Sequence, residues 1–118
     1  MEKYMMTQGV QFDDSENGFA VLQLNRDADD KLFRPLRDGE KPVLEDYHVV
    51  ASAYLKKTAV KNIPALLEDL FYVFNRCGDT PYEFEGHSMS VSDMIYLSLE
   101  GKKSLFYVQP VGFDRVTV

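Results

Sequence analysis

Tryptophan is absent from the 118 residues, and cysteine occurs once, at Cys77. A single cysteine excludes an internal disulfide. The two histidines, His48 and His87, are far apart and neither has another histidine or cysteine at ligand spacing, so the sequence carries no zinc pattern and implies neither a metal nor a cofactor. Cys77 closes an apolar helical pattern and is expected to be a buried thiol. No apolar run approaches the roughly 18 residues of a membrane span, and MEKYMMTQ lacks the apolar centre of a signal peptide. The expectation is a cytoplasmic chain that makes no membrane contact.

An excess of basic charge is lacking too. The net charge is −6, and residues 1–46 hold eleven acids against six bases, a balance of −5, which leaves −1 for residues 47–118. Such a surface repels phosphate backbones and argues against direct nucleic-acid binding; it suits a basic protein surface instead. Catalytic patterns are missing as well. Gly101 and Gly112 stand alone, so there is no phosphate-cradling loop. Ser88, Ser90 and Ser92 next to His87 lack a glycine-flanked elbow, and neighbours in an extended segment point to opposite faces. Glu83 and Glu85 share one side of an alternating stretch and are expected to be solvated; acid–base work by that pair would require a cleft. Asp114 and Arg115 are expected to be exposed.

What is present specifies a fold. At this length a single domain can bury a core without staples. Residues 1–8 are expected to fray. Val10–Phe12 reads as a short strand, and Asp13 to Gly18 as a turn. Phe19–Leu24 is apolar enough for a central strand. Asp27–Lys31 is expected as a polar loop, residues 32–36 as extended because Pro35 disfavours helix at Arg34, and Arg37–Glu45 as a second loop. Tyr47–Leu55 reads as a strand with Tyr47, Val49, Ala51 and Ala53 on one face. Lys56, Lys57 and Lys61 precede the one long helix, residues 62–77. Its signals are a capping Asn62, Pro64 in the first turn, and a stripe of Ile63, Leu66, Leu67, Leu70, Phe71, Phe74 and Cys77 at spacings of three and four, ended by Gly78.

The chain from Pro81 onward is the best-specified part. Ser90 is placed as the cap of a short helical turn that Asp93 answers three residues on. Met94–Leu99 and Ser104–Gln109 form a hairpin about Glu100–Lys103, and Gly112 breaks the run before a last strand, Phe113–Val118. The sum is an α+β domain, with a mostly antiparallel sheet of about five strands, one helix packed on it and a C-terminal hairpin. Tyr82, Tyr96 and Tyr107, with Tyr72 near the border of the helix stripe, are more tyrosines than a small core needs. Some are expected in the core, and two or three to form an exposed contact patch.

The segment Gly86-His87-Ser88-Met89-Ser90-Val91-Ser92-Asp93-Met94-Ile95, followed by Phe106-Tyr107-Val108 and Gly112-Phe113, resembles the YodL-like domain. Ala20–Leu24 is similar to that family's first strand, and Leu67–Phe71 with Phe74-Asn75 to its helix. The sequence departs from the family where Met89 replaces leucine and where Gln109-Pro110-Val111 replaces an Asp-Ser-aromatic step. The resemblance implies a module of mobile-element and phage polyvalent proteins of Firmicutes that counter host defences, and no known reaction. Gly86, Ser88, Ser90, Ser92, Asp93, Gly112 and Phe113 carry the motif, and turn capping is a sufficient structural role for it.

The expectation is therefore a non-enzymatic module that binds a host protein through Asp27, Asp29, Asp30 and the tyrosines. The alternative is a regulatory binder of a host structural assembly such as the cytoskeleton.

Overall fold

The computed structural model describes residues 1–60, 62–75 and 82–118. Five antiparallel strands, β1 (Asn17–Leu24), β2 (Tyr47–Leu55), β3 (Met94–Leu99), β4 (Lys102–Val108) and β5 (Phe113–Val116), form one sheet in the order β2-β1-β3-β4-β5. The expected α+β architecture is the one observed. Every residue of β1 is buried, as its continuous apolarity predicts for a strand covered on both faces. The β3–β4 turn is tighter than expected: Glu100 and Gly101 alone connect the strands, both at positive φ, which is the type I′ signature. β5 ends at Val116 rather than Val118.

Helix α2 (Ile63–Phe74) lies on one face. Asn62 caps it, its Oδ1 accepting the Ala65 N–H at 2.8 Å, and Pro64 sits in the first turn where its missing N–H costs nothing. Leu66, Leu67, Leu70 and Phe74 are buried against Phe19, Val21, Ile95, Leu97, Phe106 and Val108, while Ile63 and Phe71 pack at the border of that cluster. The helix is shorter than the predicted 62–77. It ends at Phe74, with Asn75 as its C-cap, donating its backbone N–H to the Phe71 carbonyl and its side-chain amide to that of Met89. The expectations for Lys61, Arg76, Cys77, Gly78 and Pro81 lie outside the described residues.

The other face is covered by the N-terminal third, and here the sequence reading needs correction. Residues 2–7 form a helix, α1 (Glu2–Thr7), instead of a frayed end. Met5 is 1% exposed among Ala20, Leu22, Met94, Tyr96 and Leu105. The Tyr4 hydroxyl donates to the Tyr47 carbonyl, and the Gln8 amide oxygen accepts the Val49 N–H. A short helix with few apolar residues gives little periodic signal, so its docking was not legible. Val10–Phe12 is not a strand, although Val10 is buried. Asp27–Lys31 lies within a 3-10 turn, Arg26–Lys31, and the second loop closes in another, Leu44–Asp46.

The predicted face of β2 also changes partway. Val21 pairs with Ala51 and Leu22 with Val49, so Val50 is the extra residue of a β-bulge. Tyr47 and Val49 therefore pack under α1, whereas Ala51, Ala53 and Val50 itself pack under α2. A bulge is invisible to a period-2 count. Among the described residues, no helix is long and apolar enough to cross a membrane.

Docking of α1 is directly testable. Met5→Ala is expected to lower unfolding free energy by about 2–5 kcal/mol in chemical denaturation, as for a core methionine; an unchanged midpoint would mean that the end frays.

Candidate functional site

Gln23 is the polar exception in β1. It lies on the same face as Phe19 and Val21, at the end of the strand beyond the reach of α2, and is 1% exposed. A buried primary amide must find partners. Its Nε2 donates to the His87 carbonyl at 2.7 Å and to Asp93 Oδ2 at 3.0 Å, and its Oε1 accepts the His87 N–H at 3.1 Å. The segment before β3 is thus held by the Gln23 side chain, together with backbone bonds from Glu85 to Val50 and from Met89 to Phe74. This explains Gly86: a Cβ there would sit 2.0 Å from Gln23 Oε1.

Residues 90–93 form a four-residue turn closed by the Asp93 N–H on the Ser90 carbonyl at 3.1 Å. The expected cap is reversed and there is no helical turn. Asp93 Oδ2 accepts the Ser90 N–H at 3.0 Å, so the carboxylate does the capping, while the buried Ser90 hydroxyl lacks a hydrogen-bond partner among the described residues. Ser92, third in the turn, has φ +85°, a value that favours glycine. Three bonds hold it there: its N–H donates to the Val108 carbonyl, its carbonyl accepts the Tyr47 hydroxyl at 2.7 Å, and its Oγ accepts the Phe33 N–H at 3.0 Å.

Phe33 is itself at φ +63°, an outlier for a bulky residue, and its side chain is 59% exposed. Its ring meets that of His87 edge-on at 6.4 Å. The flanking backbone is tied down as well. The Tyr107 hydroxyl donates to the Arg34 carbonyl at 2.6 Å, and the Gln109 amide grips both the N–H and the carbonyl of Leu36. Strained conformations of this kind persist where the surroundings over-determine them, and they gather at functional sites.

The electrostatics centre on Asp93, which has no exposed surface. Burial pushes its carboxyl up to about 7, against the bond from Ser90, the nearby His87 and the bond from Gln23. Its Oδ1 has no hydrogen bond among the described residues and lies 3.9 Å from His87 Nε2. His87 Nδ1 lies 2.8 Å from the Ser88 carbonyl, which only accepts, so Nδ1 carries a proton and the neutral ring presents a bare Nε2 to Oδ1. Burial likewise raises the Tyr47 and Tyr107 hydroxyls, which keeps both neutral as donors.

The remaining sequence-predicted residues are dispersed. Asp27, Asp29 and Asp30 are exposed on the 3-10 turn that ends two residues before Phe33. The tyrosine expectation is corrected: Tyr96 and Tyr107 are 3% and 4% exposed and belong to the core under α1, and Tyr82 packs between Phe19 and Phe74. Cross-strand packing on a sheet covered on both faces absorbs their rings; the exposed tyrosines are Tyr54 and Tyr72. Gly112 turns the chain at φ +75° with open space around it, and Phe113 meets Phe71 at 6.1 Å. Glu83 and Glu85 are exposed, as are Asp114 and Arg115, though Asp114 accepts a bond from Gln109. Gln23 and Phe33 went unread. For Gln23 the signal was a lone amide inside an apolar strand; for Phe33 nothing local announced positive φ.

The family model of the YodL-like domain matches residues 18–118, a span that contains Gln23, Phe33 and the whole 86–93 motif. No curated protein and no solved structure matches the chain.

The raised Asp93 carboxyl has a definite sign. Between its ordinary value near 3.8 and about 7 the folded state binds more protons than the unfolded, so this group withdraws stability as pH rises through that window. Asp93→Asn, which keeps an acceptor for Ser90, is expected to flatten the decline, gaining on the order of 2–4 kcal/mol on wild type between the two ends. Parallel denaturation curves at every pH would refute the assignment. Gly86→Ala is expected to cost at least about 1–3 kcal/mol because Gln23 must leave its bonds to make room.

Proposed function

The chain belongs to the YodL-like domain family, and from that premise we propose that it is a non-enzymatic protein-binding module whose contact centres on Phe33. The observation that carries this reading is a large exposed aromatic held at positive φ by the Ser92 hydroxyl of the family motif. A structural phenylalanine would be buried. An exposed one in a costly conformation, rigidly backed, suits an anchor that enters a partner's pocket with little entropy left to lose.

The rim sets the partner's charge. Residues 1–46, apart from β1, form the layer over one sheet face and carry a balance of −5. Their cations are partly consumed internally, Lys31 by Asp46 at 2.6 Å and Arg34 by Glu40 at 2.7 Å, while Asp27, Asp29 and Asp30 stay exposed beside Phe33. The partner is a host protein with a basic surface around an apolar pocket. In the sharper form it is a nucleic-acid-handling defence enzyme that a mobile genetic element disables in the host cytoplasm. Phe33 also supports a second reading, a regulatory contact with a structural assembly, in which apolar anchoring outweighs charge.

Affinity capture from a Firmicutes lysate at low and high salt separates these. Phe33→Gly relieves the positive φ and is expected to stabilise the fold by about 0.5–1 kcal/mol while reducing capture of the dominant partner at least tenfold. Neutralising Asp27, Asp29 and Asp30 to asparagine is expected to remove most of the salt dependence. A partner held equally well by Phe33→Gly sinks the proposal, and one lost with Phe33 but indifferent to salt selects the second reading.

A further inference from the structure

On the α2 side, the helix leaves part of the sheet uncovered beyond its N-terminal end. The chain there forms a groove of 410 Å³ floored by Val60, Ile63 and Leu99 and ringed by Lys57, Lys102 and Arg115. Lys102 pairs across the sheet with Leu99, and Arg115 with Phe106, so both rise from the face that α2 packs on. Lys57 approaches from the 3-10 turn that leads into α2. Three separate elements thus converge their cations on one apolar floor.

None of these three has an acidic partner within ion-pair distance among the described residues, although the chain carries 19 acids. Among the lining residues Glu100 is the one carboxylate, and Lys103, also at the rim, is turned toward Asp14 at 3.7 Å. Lys3, Arg26, Lys41 and Lys56 also lack an ion pair among the described residues, so what sets Lys57, Lys102 and Arg115 apart is their position: they line one groove whose lining holds a single carboxylate, which makes that groove a place for an anion from outside.

We propose that this groove is the binding site for a small phosphorylated molecule, its phosphate held by Arg115, Lys102 and Lys57 and its apolar body resting on Val60, Ile63 and Leu99. A phosphate monoester brings close to two charges and three acceptor oxygens, which a guanidinium fork and two ammonium groups satisfy better than they do a single carboxylate. The volume is that of a small-ligand pocket. The net negative field disfavours a long polyanion, which restricts the ligand to a compact one. The groove is independent of Phe33, so Phe33→Gly leaves it intact and the two readings fail separately.

The test is an amide-resonance titration of the whole chain with adenosine monophosphate, inorganic phosphate, adenosine and succinate as probes. Saturable shifts at Lys57, Lys102 and Arg115 are expected with the two phosphates, tighter for the monophosphate, and absent with adenosine. The exposed positions permit a Lys102→Gln/Arg115→Gln variant whose spectrum confirms folding, and it is expected to bind about tenfold or more weakly. No saturable shift with either phosphate up to about 10 mM overturns the site. So does adenosine or succinate matching the monophosphate, or a double variant that binds as wild type.

Discussion

One buried side-chain amide governs the layout of the chain's second half. Gln23 stands in a strand with no access to water, so each of its polar atoms must be answered within the protein. It is answered by residues 64 and 70 positions away, the backbone of His87 and the carboxylate of Asp93. That requirement propagates. Gly86 must be glycine for the approach, His87 is fixed in register, and Asp93 is drawn inside, where its other bond folds residues 90–93 into a turn. The turn puts Ser92 at positive φ, and Ser92 in turn braces Phe33. A segment without regular secondary structure is thereby bonded to the sheet at Gln23, Tyr47 and Val108.

The arrangement is expensive, and the expense is informative. A buried carboxyl with one unpaired oxygen, an unpartnered serine hydroxyl and two non-glycine residues at positive φ each cost on the order of 1–3 kcal/mol. The remainder of the fold has fewer such conflicts: β1 is all buried and α2 is capped, while Glu100 stands at φ +50° in the β3–β4 turn and the Ser98 hydroxyl in β3 is buried without a hydrogen-bond partner among the described residues. Most of these departures gather at residues 33 and 90–93, a concentration of the kind found at sites shaped for something besides stability.

How far this was legible depended on the range of the forces involved. The helix, its cap, the five strands and the hairpin are local or periodic, and Asn62, the Leu66–Phe74 stripe and Glu100-Gly101 announced them. The docking of α1 depends on Met5 reaching a sheet built from residues 17–116, and the bulge at Val50 depends on how β2 meets β1. Neither leaves a mark within a window of ten residues. The tyrosines misled for the same reason, since a ring that suits an interface also suits a sheet sandwiched between two layers, and only the second layer decides between them. The motif at residues 86–93 was visible as a motif. Its partner Gln23 was visible as an anomaly, and the link between them was not, because 70 residues of chain separate two atoms 3.0 Å apart.

The charge asymmetry of the sequence becomes an asymmetry in space through this same topology. Because the N-terminal third is spent on one sheet face, its surplus of acids lies on that side with Phe33. The unpaired cations of Lys57, Lys102 and Arg115 lie on the side of α2. A single sheet lies between the two faces, and they meet at its margin, where Lys103 at the rim of the groove is 3.7 Å from Asp14 of the N-terminal third. Both proposals draw on this uneven division: the exposed acids of the 3-10 turn before Phe33 suit a basic surface, and the cations of the groove suit an anion.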